Sequence, residues 1–467
     1  MKKLLHSFLL TAAWISQILI WQGCANILPP GGGLKDTLPP RLLMALPKDS
    51  AVNVNTRNIV LTFDEYISLQ NPLENLIISP VSASNPLIDY KLKNISIKLK
   101  DSLEPNTTYS FDFGESIRDV NEGNTARGLR YVFSTGKTID NYSYRGKVLL
   151  AETGKTDSSK IIVLLHKNLS DTAVIKNQPR YYTRINGKGE FAFYNLPRGE
   201  FAVYALEKGF SKKYDDSTRL FGFKNSPVLI NENTPADTLY AFEEVKRKDS
   251  KSTGGAVLSP GNKDDKRLRY TIDLDAGMQD ILSNLHISFL KKLGSFDSSK
   301  FVLTDTNYHP LTGYHFVLDS SKTKISLNHP WKENSAYRLL IAKDAVADSL
   351  GTTLAKADTV RFFTRKESEY GSIRIIFTNL DIAKNPVLQI VQTEKILESF
   401  PLRNSDFRKK LFKPGAYEIR ILYDANKNGV WDSGKFMGHK KQPEIVVQIP
   451  KQLAIKANWD NELTIVL

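Results

Sequence analysis

The sequence of 467 residues contains a single cysteine, Cys24. One cysteine excludes a disulfide framework within the chain and any zinc site built from several cysteines. Neither G-x-S-x-G nor H-E-x-x-H, two motifs of common hydrolases, occurs in the chain. The mean hydropathy of −0.31 excludes a polytopic membrane protein. We therefore expect a protein that is not an enzyme.

The composition is that of a chain that folds around apolar cores, with 41% hydrophobic, 10% aromatic and 24% charged residues. Its length corresponds to roughly two to four domains. Apolar and polar residues alternate over residues 58–63, 95–99 and 109–113, and proline, glycine, asparagine and aspartate separate these segments. Strands at short spacing with turn residues between them predict an all-β fold made of β-sandwiches.

The N-terminus has the three parts of a secretory signal. Residues 1–3 include two lysines, residues 4–21 are mostly apolar, and the small residue Gly23 precedes Cys24. Polar residues inside the apolar stretch, and a Pro/Gly run after it, make a retained membrane anchor the less favoured alternative. Gly23-Cys24 resembles the lipobox of bacterial lipoproteins, which implies that Cys24 becomes a lipid-modified N-terminus. The alternative is an ordinary signal peptide in which this cysteine has no role.

Positive charge is concentrated in one segment of the chain. The formal net charge is +14, and residues 246–269 contain eight Lys/Arg against three Asp. This polar, Gly/Ser-containing composition predicts a basic, flexible linker. Such a segment could contact anionic lipid or lipopolysaccharide, or it could simply be solvated. We expect no nucleic-acid partner, because the chain shows an export signal and no nucleic-acid motif.

The chain repeats itself, which predicts an array of modules. Residues 58–63 match 284–289, residues 103–109 match 331–337, and residues 133–135 match 362–364. A second type of module recurs where residues 196–201 match 412–417. The order is A–B–linker–A–B, which predicts four tandem β-sandwich domains.

Module A resembles the bacterial Ig-like domain first described in S-layer proteins. The resemblance is carried by Pro39-Pro40, by the strand at 59–65 and by the L-x-P-N-T-x-Y segment at 103–109. Module B resembles prealbumin-like or collagen-adhesin B-type sandwiches, through residues 183–193 and 195–199. The arrangement is similar to an exported Ig-like lipoprotein of the Bacteroidetes type.

These patterns predict the boundaries of seven segments. They are a signal peptide (1–23), a tether after the lipidated cysteine (24–35), module A1 (36–136), module B1 (142–245), the basic linker (246–268), the degenerate module A2 (269–365) and module B2 (370–467).

One loop is a candidate calcium site. Asp424, Asn426, Asn428 and Asp432 place oxygen side chains at loop positions 1, 3, 5 and 9, and Gly429 occupies position 6. Calcium prefers six to eight oxygen ligands, and glycine permits the sharp turn. The alternative is an Asn-Gly hairpin tip stabilised by Asx turns. We expect no other cofactor.

The sequence favours a non-enzymatic, lipid-anchored protein of the outer membrane that acts as a structural spacer or as an accessory subunit of an envelope complex. The residues after Cys24 lack the acidic run that marks surface export in many Bacteroidetes lipoproteins, which favours the periplasmic face without deciding it. The alternative function is a glycan- or surface-binding adhesin.

We expect a core or sheet-face role rather than carbohydrate stacking for six aromatic residues at strand spacing, namely Phe191, Phe193, Phe201, Tyr204, Phe221 and Phe223.

Overall fold

The computed structural model describes residues 35–157, 160–209, 211–245 and 267–467. The predicted signal peptide, Cys24 and most of the basic linker lie outside the described residues. The chain divides into two compact units, Met1–Asn141 and Tyr142–Leu467. The all-β prediction is confirmed, because the described residues are mainly strands, joined by loops and a few single-turn helices. Among these described residues, no helix is long and apolar enough to cross a bilayer.

Module A1 forms the first unit, and its main sheets share one apolar core. The core-facing side of the second strand supplies Ile59, Leu61 and Phe63, which pack with Phe111 and Tyr131. The sheets have the orders β1-β2-β6-β5, β4-β7-β9 and β3-β8. The elements are β1 (Leu42–Leu46), β2 (Asn58–Phe63), β3 (Ile67–Leu69), α1 (Pro72–Asn75), β4 (Ile77–Ser79), β5 (Leu87–Lys91), β6 (Asn94–Lys98), β7 (Thr108–Asp112), β8 (Ile117–Asp119) and β9 (Arg130–Ser134).

Module B1 opens the second unit with two sheets around a core that includes Tyr144, Val163 and Phe201. The sheets have the orders β13-β10-β17 and β12-β11-β14-β15, and β16 also pairs with β14. Strand β11 is buried along its whole length, as is typical of a strand covered on both faces. The elements are β10 (Tyr142–Leu150), β11 (Ile161–His166), α2 (Ala173–Lys176), β12 (Tyr181–Arg184), β13 (Glu190–Leu196), β14 (Gly199–Glu207), β15 (Phe221–Phe223), β16 (Val228–Ile230) and β17 (Asp237–Ala241).

Module A2 repeats the architecture of A1 around a core that includes Ile287, Leu339 and Phe362. Its sheets have the orders β18-β20-β24-β23, β19-β27-β25-β22 and β21-β26. The elements are β18 (Tyr270–Ile272), β19 (Met278–Gln279), β20 (Leu285–Phe289), β21 (Leu293–Phe296), a 3-10 turn (Ser298–Lys300), β22 (Phe301–Thr304), β23 (His315–Leu318), β24 (Lys324–Asn328), β25 (Ala336–Ile341), β26 (Val346–Asp348), β27 (Asp358–Thr364) and a second 3-10 turn (Glu367–Glu369).

Module B2 completes the second unit around a core that includes Ile375, Ile390 and Ile421. Its sheets have the orders β31-β28-β34 and β30-β29-β32-β33, which repeat the orders of the two main B1 sheets. The elements are β28 (Gly371–Thr378), a 3-10 turn (Ile382–Lys384), β29 (Pro386–Gln392), β30 (Lys395–Pro401), β31 (Asp406–Phe412), β32 (Gly415–Tyr423), β33 (Ile445–Ile455) and β34 (Asp460–Val466).

The repeated sequence segments of the A modules build the same local structure twice. Asn106 and Asn334 both adopt a left-handed backbone, with φ of 50° and 49°, which asparagine tolerates well. In A1, the Thr107 N–H donates to Thr135 Oγ1 over 3.0 Å. In A2, the N–H of the residue after Asn334 donates to Thr364 Oγ1 over 2.9 Å. The repeat therefore encodes a turn that is tied back to the strand ending at the matching threonine.

Candidate functional site

The candidate calcium loop leaves strand β32 at Asp424, whose side chain is buried. Asp424 Oδ1 accepts the backbone N–H of Lys427 over 2.7 Å and that of Asn428 over 3.3 Å. Asp424 Oδ2 accepts the N–H of Gly429 over 2.7 Å. Both carboxylate oxygens thus hold the turn from inside, as an Asx-type turn does.

The other three predicted calcium ligands also bond within the loop. Asn426 Oδ1 accepts the N–H of Asn428, and Asn428 Oδ1 accepts the N–H of Val430. Asp432 Oδ2 accepts the side-chain amides of Asn426 and Asn428. Among the described residues, no group of three or more His, Cys, Asp or Glu is arranged to hold a metal ion. The hydrogen bonds are those of the hairpin-tip alternative, and calcium at this loop stays a prediction.

The base of the same loop is closed by Glu444, a buried carboxylate just before strand β33. Glu444 Oε1 accepts the N–H of Ala425 over 2.8 Å, and Oε2 accepts the N–H of Asp432 over 3.1 Å. The indole of Trp431 donates to the Glu444 carbonyl over 2.7 Å. These bonds fix the direction in which the chain leaves Asp432.

Beyond Asp432 the loop reaches module B1, and residues 433–442, which we call the clasp, carry the contact. The ring of Phe436 is 2% exposed and belongs to the apolar cluster of B1. Its centroid lies 4.9 Å from that of Phe221 and 5.1 Å from that of Phe223. Tyr204 and Tyr214 meet the same ring edge-on, at 5.8 Å and 6.1 Å. One aromatic side chain of B2 therefore completes an aromatic cluster of B1.

Polar contacts surround this ring. Glu244 Oε1 accepts the Phe436 N–H over 3.0 Å and the Tyr214 hydroxyl over 2.7 Å. Burial, followed by that hydrogen bond to Glu244, raises the pKa of Tyr214 above its usual range. The Gln442 side-chain amide donates to the carbonyl of Phe223 over 3.0 Å. The buried ring is thus framed by hydrogen bonds that fix its register on B1.

A second contact joins the two B modules through charged groups. Lys155 of B1 pairs with Glu394 and, over 3.2 Å, with Glu418. Arg420, whose side chain is 3% exposed, pairs with Glu394 over 2.9 Å and with Glu418 over 3.2 Å. The hydrogen bond with Glu394 raises the pKa of Lys155, and the hydrogen bonds with Lys155 and Arg420 lower the pKa of Glu394. Lys155 and Glu394 therefore carry their charges at neutral pH.

Two glycines allow the close approach of the B modules. A Cβ atom on Gly434 would lie 2.6 Å from Cζ of Phe242. A Cβ atom on Gly154 would lie 2.6 Å from the backbone N of Gln448, and Gly154 also has a φ of +69°. In addition, the N–H of Val446 donates to the carbonyl of Ala151 over 2.9 Å. The two B modules are therefore packed as closely as neighbouring segments in the interior of a single domain.

The sequence did not predict the clasp. Residues 221–223 match 437–439 when the B alignment is continued without gaps, yet 221–223 form strand β15 whereas 437–439 lie in the loop. In the B2 sheet, β33 takes the edge position that β15 takes in B1. The available indication was Phe436 itself, a large apolar residue in a loop otherwise rich in glycine and lysine.

The six aromatic residues that we predicted to be structural are all buried, at 4% exposure or less. The prediction of a core or sheet-face role for them is confirmed. Three of them, Tyr204, Phe221 and Phe223, form the surface that receives Phe436.

Residues 36–135 match the family described as bacterial Ig-like domain. This match confirms the resemblance predicted for module A1 and is consistent with a structural or adhesive protein of the bacterial cell envelope. No curated protein matches the chain.

Several solved structures are similar to the chain at low identity. The major pilin subunit BcpA of Bacillus cereus is 12% identical over 70% of this chain and 99% of its own, with a TM-score of 0.17. The Bacillus anthracis TIE protein is 11% identical over 94% of this chain and 75% of its own, with a TM-score of 0.18. The N-terminal part of the S-layer protein SbsC is 12% identical over 44% of each chain, with a TM-score of 0.16. Similarities this weak carry no argument about function.

Proposed function

We propose that this protein is a non-enzymatic, lipid-anchored protein of the outer membrane that acts as a structural spacer or as an accessory subunit of an envelope complex. Cys24 carries the lipid, and the modules that follow present their loops and sheet edges to a partner. Two observations support a location in the cell envelope: the Ig-like match over residues 36–135 and the lipobox resemblance of Gly23-Cys24.

The observation that carries the spacer part of the proposal is the burial of Phe436 in B1. Sandwiches joined only through linkers would move independently, because small contacts between domains permit relative motion. The clasp, the ion cluster at Arg420 and the close approach at Gly154 instead fix B1 on B2. Two sandwiches held in one arrangement keep the surfaces they present at a constant separation, which a spacer or an assembly subunit requires.

The proposal is tested by purifying the protein with its partners from detergent-solubilised envelopes of its native host. We expect the wild-type protein to bring down the same envelope protein reproducibly, as identified by mass spectrometry. We expect Phe436→Ala, which releases the clasp, to reduce this recovery more than the exposed neighbour substitution Met437→Ala. A wild-type protein without a reproducible protein partner would contradict the accessory role, and recovery of polysaccharide in its place would favour the adhesin alternative.

A further inference from the structure

The solvent-facing side of the sheet β1-β2-β6-β5 in module A1 carries apolar side chains. The register pairs Leu46 with Val60, and Met44 with Thr62. Their neighbours Ala45 and Leu61 are buried in the core, so strand alternation directs Met44, Leu46 and Val60 to the opposite face. Met44 and Leu46 are 53% and 57% exposed.

At the other edge of the same sheet, strand β5 adds a further apolar side chain. Leu87 pairs with Lys98 of β6 and is 56% exposed. Lys91 pairs with Asn94 on the same face, and Asp89 pairs with Ser96. We call Met44, Leu46, Val60, Leu87, Lys91 and Lys98 the A1 outer face.

The equivalent sheet of module A2 shows that the fold does not require these apolar residues. Sheet β18-β20-β24-β23 has the same order, and residues 58–63 align with 284–289, so Val60 corresponds to His286. The strand registers then place Thr271 at the position of Met44 and His315 at that of Leu87.

Continuing that register by one pair places Asp273 at the position of Leu46, and the Asp273 N–H donates to the His286 carbonyl over 3.2 Å. All four apolar positions of the A1 outer face are therefore polar in A2. Both sheets cover a buried apolar core. The polar residues of A2 show that packing of such a core does not need apolar side chains at these four solvent-facing positions.

Cations accompany the apolar side chains of A1. Lys91 and Lys98 lie on the outer face itself, and Arg41 and Lys48 flank strand β1. Within the described part of the chain none of these four side chains forms an ion pair, and Asp89 is the one carboxylate on the same face of β5 and β6. An apolar surface bordered by unpaired cations matches the interface of an anionic bilayer, whose headgroups attract lysine and whose acyl boundary accepts leucine and methionine.

We propose that the A1 outer face docks on an anionic lipid surface. The chain length before A1 fits this role, a point that rests on the proposed function: Leu42 follows Cys24 by 18 residues. A chain of that length spans at most about 60 Å, so a lipid on Cys24 keeps A1 near the membrane. The chemistry of the face itself does not depend on that lipid.

The test uses the chain from residue 24 onwards with Cys24→Ser, so that no acyl group contributes to binding. Sedimentation with vesicles of phosphatidylcholine containing phosphatidylglycerol is compared with sedimentation with phosphatidylcholine alone. We expect binding to the anionic vesicles only. Met44→Ser with Leu46→Ser should weaken this binding about tenfold through the loss of apolar contact alone, since the net charge is unchanged. Lys91→Gln and Lys98→Gln should each weaken it about fivefold.

The matched control is Val317→Ser, which removes an exposed valine from the equivalent face of A2. We expect it to bind like the parent chain. Binding that survives Met44→Ser with Leu46→Ser unchanged would overturn the proposal and assign the attraction to other basic residues, such as those of 246–269. A parent chain that does not bind the anionic vesicles would also overturn the proposal. So would light scattering that shows a dimer abolished by the same pair of substitutions, because the face would then bind a second copy. None of these results depends on whether Cys24 is acylated in the cell.

Discussion

The ring of Phe436 in module B2 packs against the ring of Phe221 in module B1, with 4.9 Å between their centroids and an angle of 59° between their planes. Phe221 is fully buried and Phe436 is 2% exposed, so this pair lies in a core to which two sandwiches contribute. The contact makes the stability of one module depend on a loop of the other.

Truncating the clasp ring should uncouple the two modules. Phe436→Ala removes a buried aromatic side chain, a change that typically lowers the free energy of unfolding by about 3–5 kcal/mol. We expect urea denaturation, followed by tryptophan fluorescence and circular dichroism, to show a lower midpoint and transitions that no longer coincide. Met437→Ala, at a position 47% exposed, should leave the midpoint within error. Equal effects of the two substitutions would contradict the coupling.

The close approach at Gly434 gives an independent test of the same contact. Its Cβ would overlap the ring of Phe242, which cannot move away because it is buried. We expect Gly434→Ala to lower the free energy of unfolding by about 1–3 kcal/mol, in the range of overpacking substitutions. Gly187→Ala is the control, since no heavy atom lies within 4 Å of its Cβ position. If Gly434→Ala left the free energy of unfolding unchanged, the close contact between Gly434 and Phe242 would not be maintained in solution.

Local sequence patterns predicted the sheets but not the contact between modules. Alternation over 58–63 and 109–113 predicted strands β2 and β7, because each side of a strand has its own environment. The Asn106 turn lies in a segment that recurs at 331–337, so its repetition could be recognised from the sequence. The clasp was not predicted, because a loop that contacts another module shows no periodic spacing of apolar residues.

The calcium pattern at 424–432 fits both a metal loop and an Asx-turn hairpin, since both use the same oxygens.

Asp424 should stabilise its loop in the absence of any metal. Its two carboxylate oxygens accept three backbone N–H groups, and Asp424→Ala would leave these donors unsatisfied. We expect a loss of about 1–3 kcal/mol in the free energy of unfolding, measured in a chelating buffer. A variant as stable as the wild type would contradict this role.

The calcium prediction has its own measurement. Calorimetric titration of the wild type with Ca²⁺ should release or absorb heat that Asp424→Ala does not show. No heat above background in the wild type would remove calcium from the account, while the stabilising role of Asp424 would stand.

His166 should make module B1 sensitive to acid. Its ring is buried against Tyr204, and burial lowers the pKa of His166 from 6.5 to about 4. Between these two pKa values the His166 ring is protonated in the unfolded chain and neutral in the folded chain. Stability is unaffected above pH 6.5 and falls between pH 6.5 and 4, by about 3 kcal/mol in total.

We expect His166→Phe to remove this part of the pH dependence in urea denaturation, because phenylalanine keeps the ring contact and has no proton to bind. His315→Phe, at an exposed position, should keep it. A wild-type and a His166→Phe protein with the same loss of stability at low pH would contradict the assignment to His166.

Attachment to the membrane through Cys24 is the claim on which the proposed function depends most. Its direct measurement is metabolic labelling of the native host with an alkyne analogue of palmitate, followed by isolation of the protein and detection of the label. The account predicts label in the wild-type protein, recovered in the outer-membrane fraction, and none in Cys24→Ser. A wild-type protein without label, or a Cys24→Ser protein that keeps it, would contradict the account.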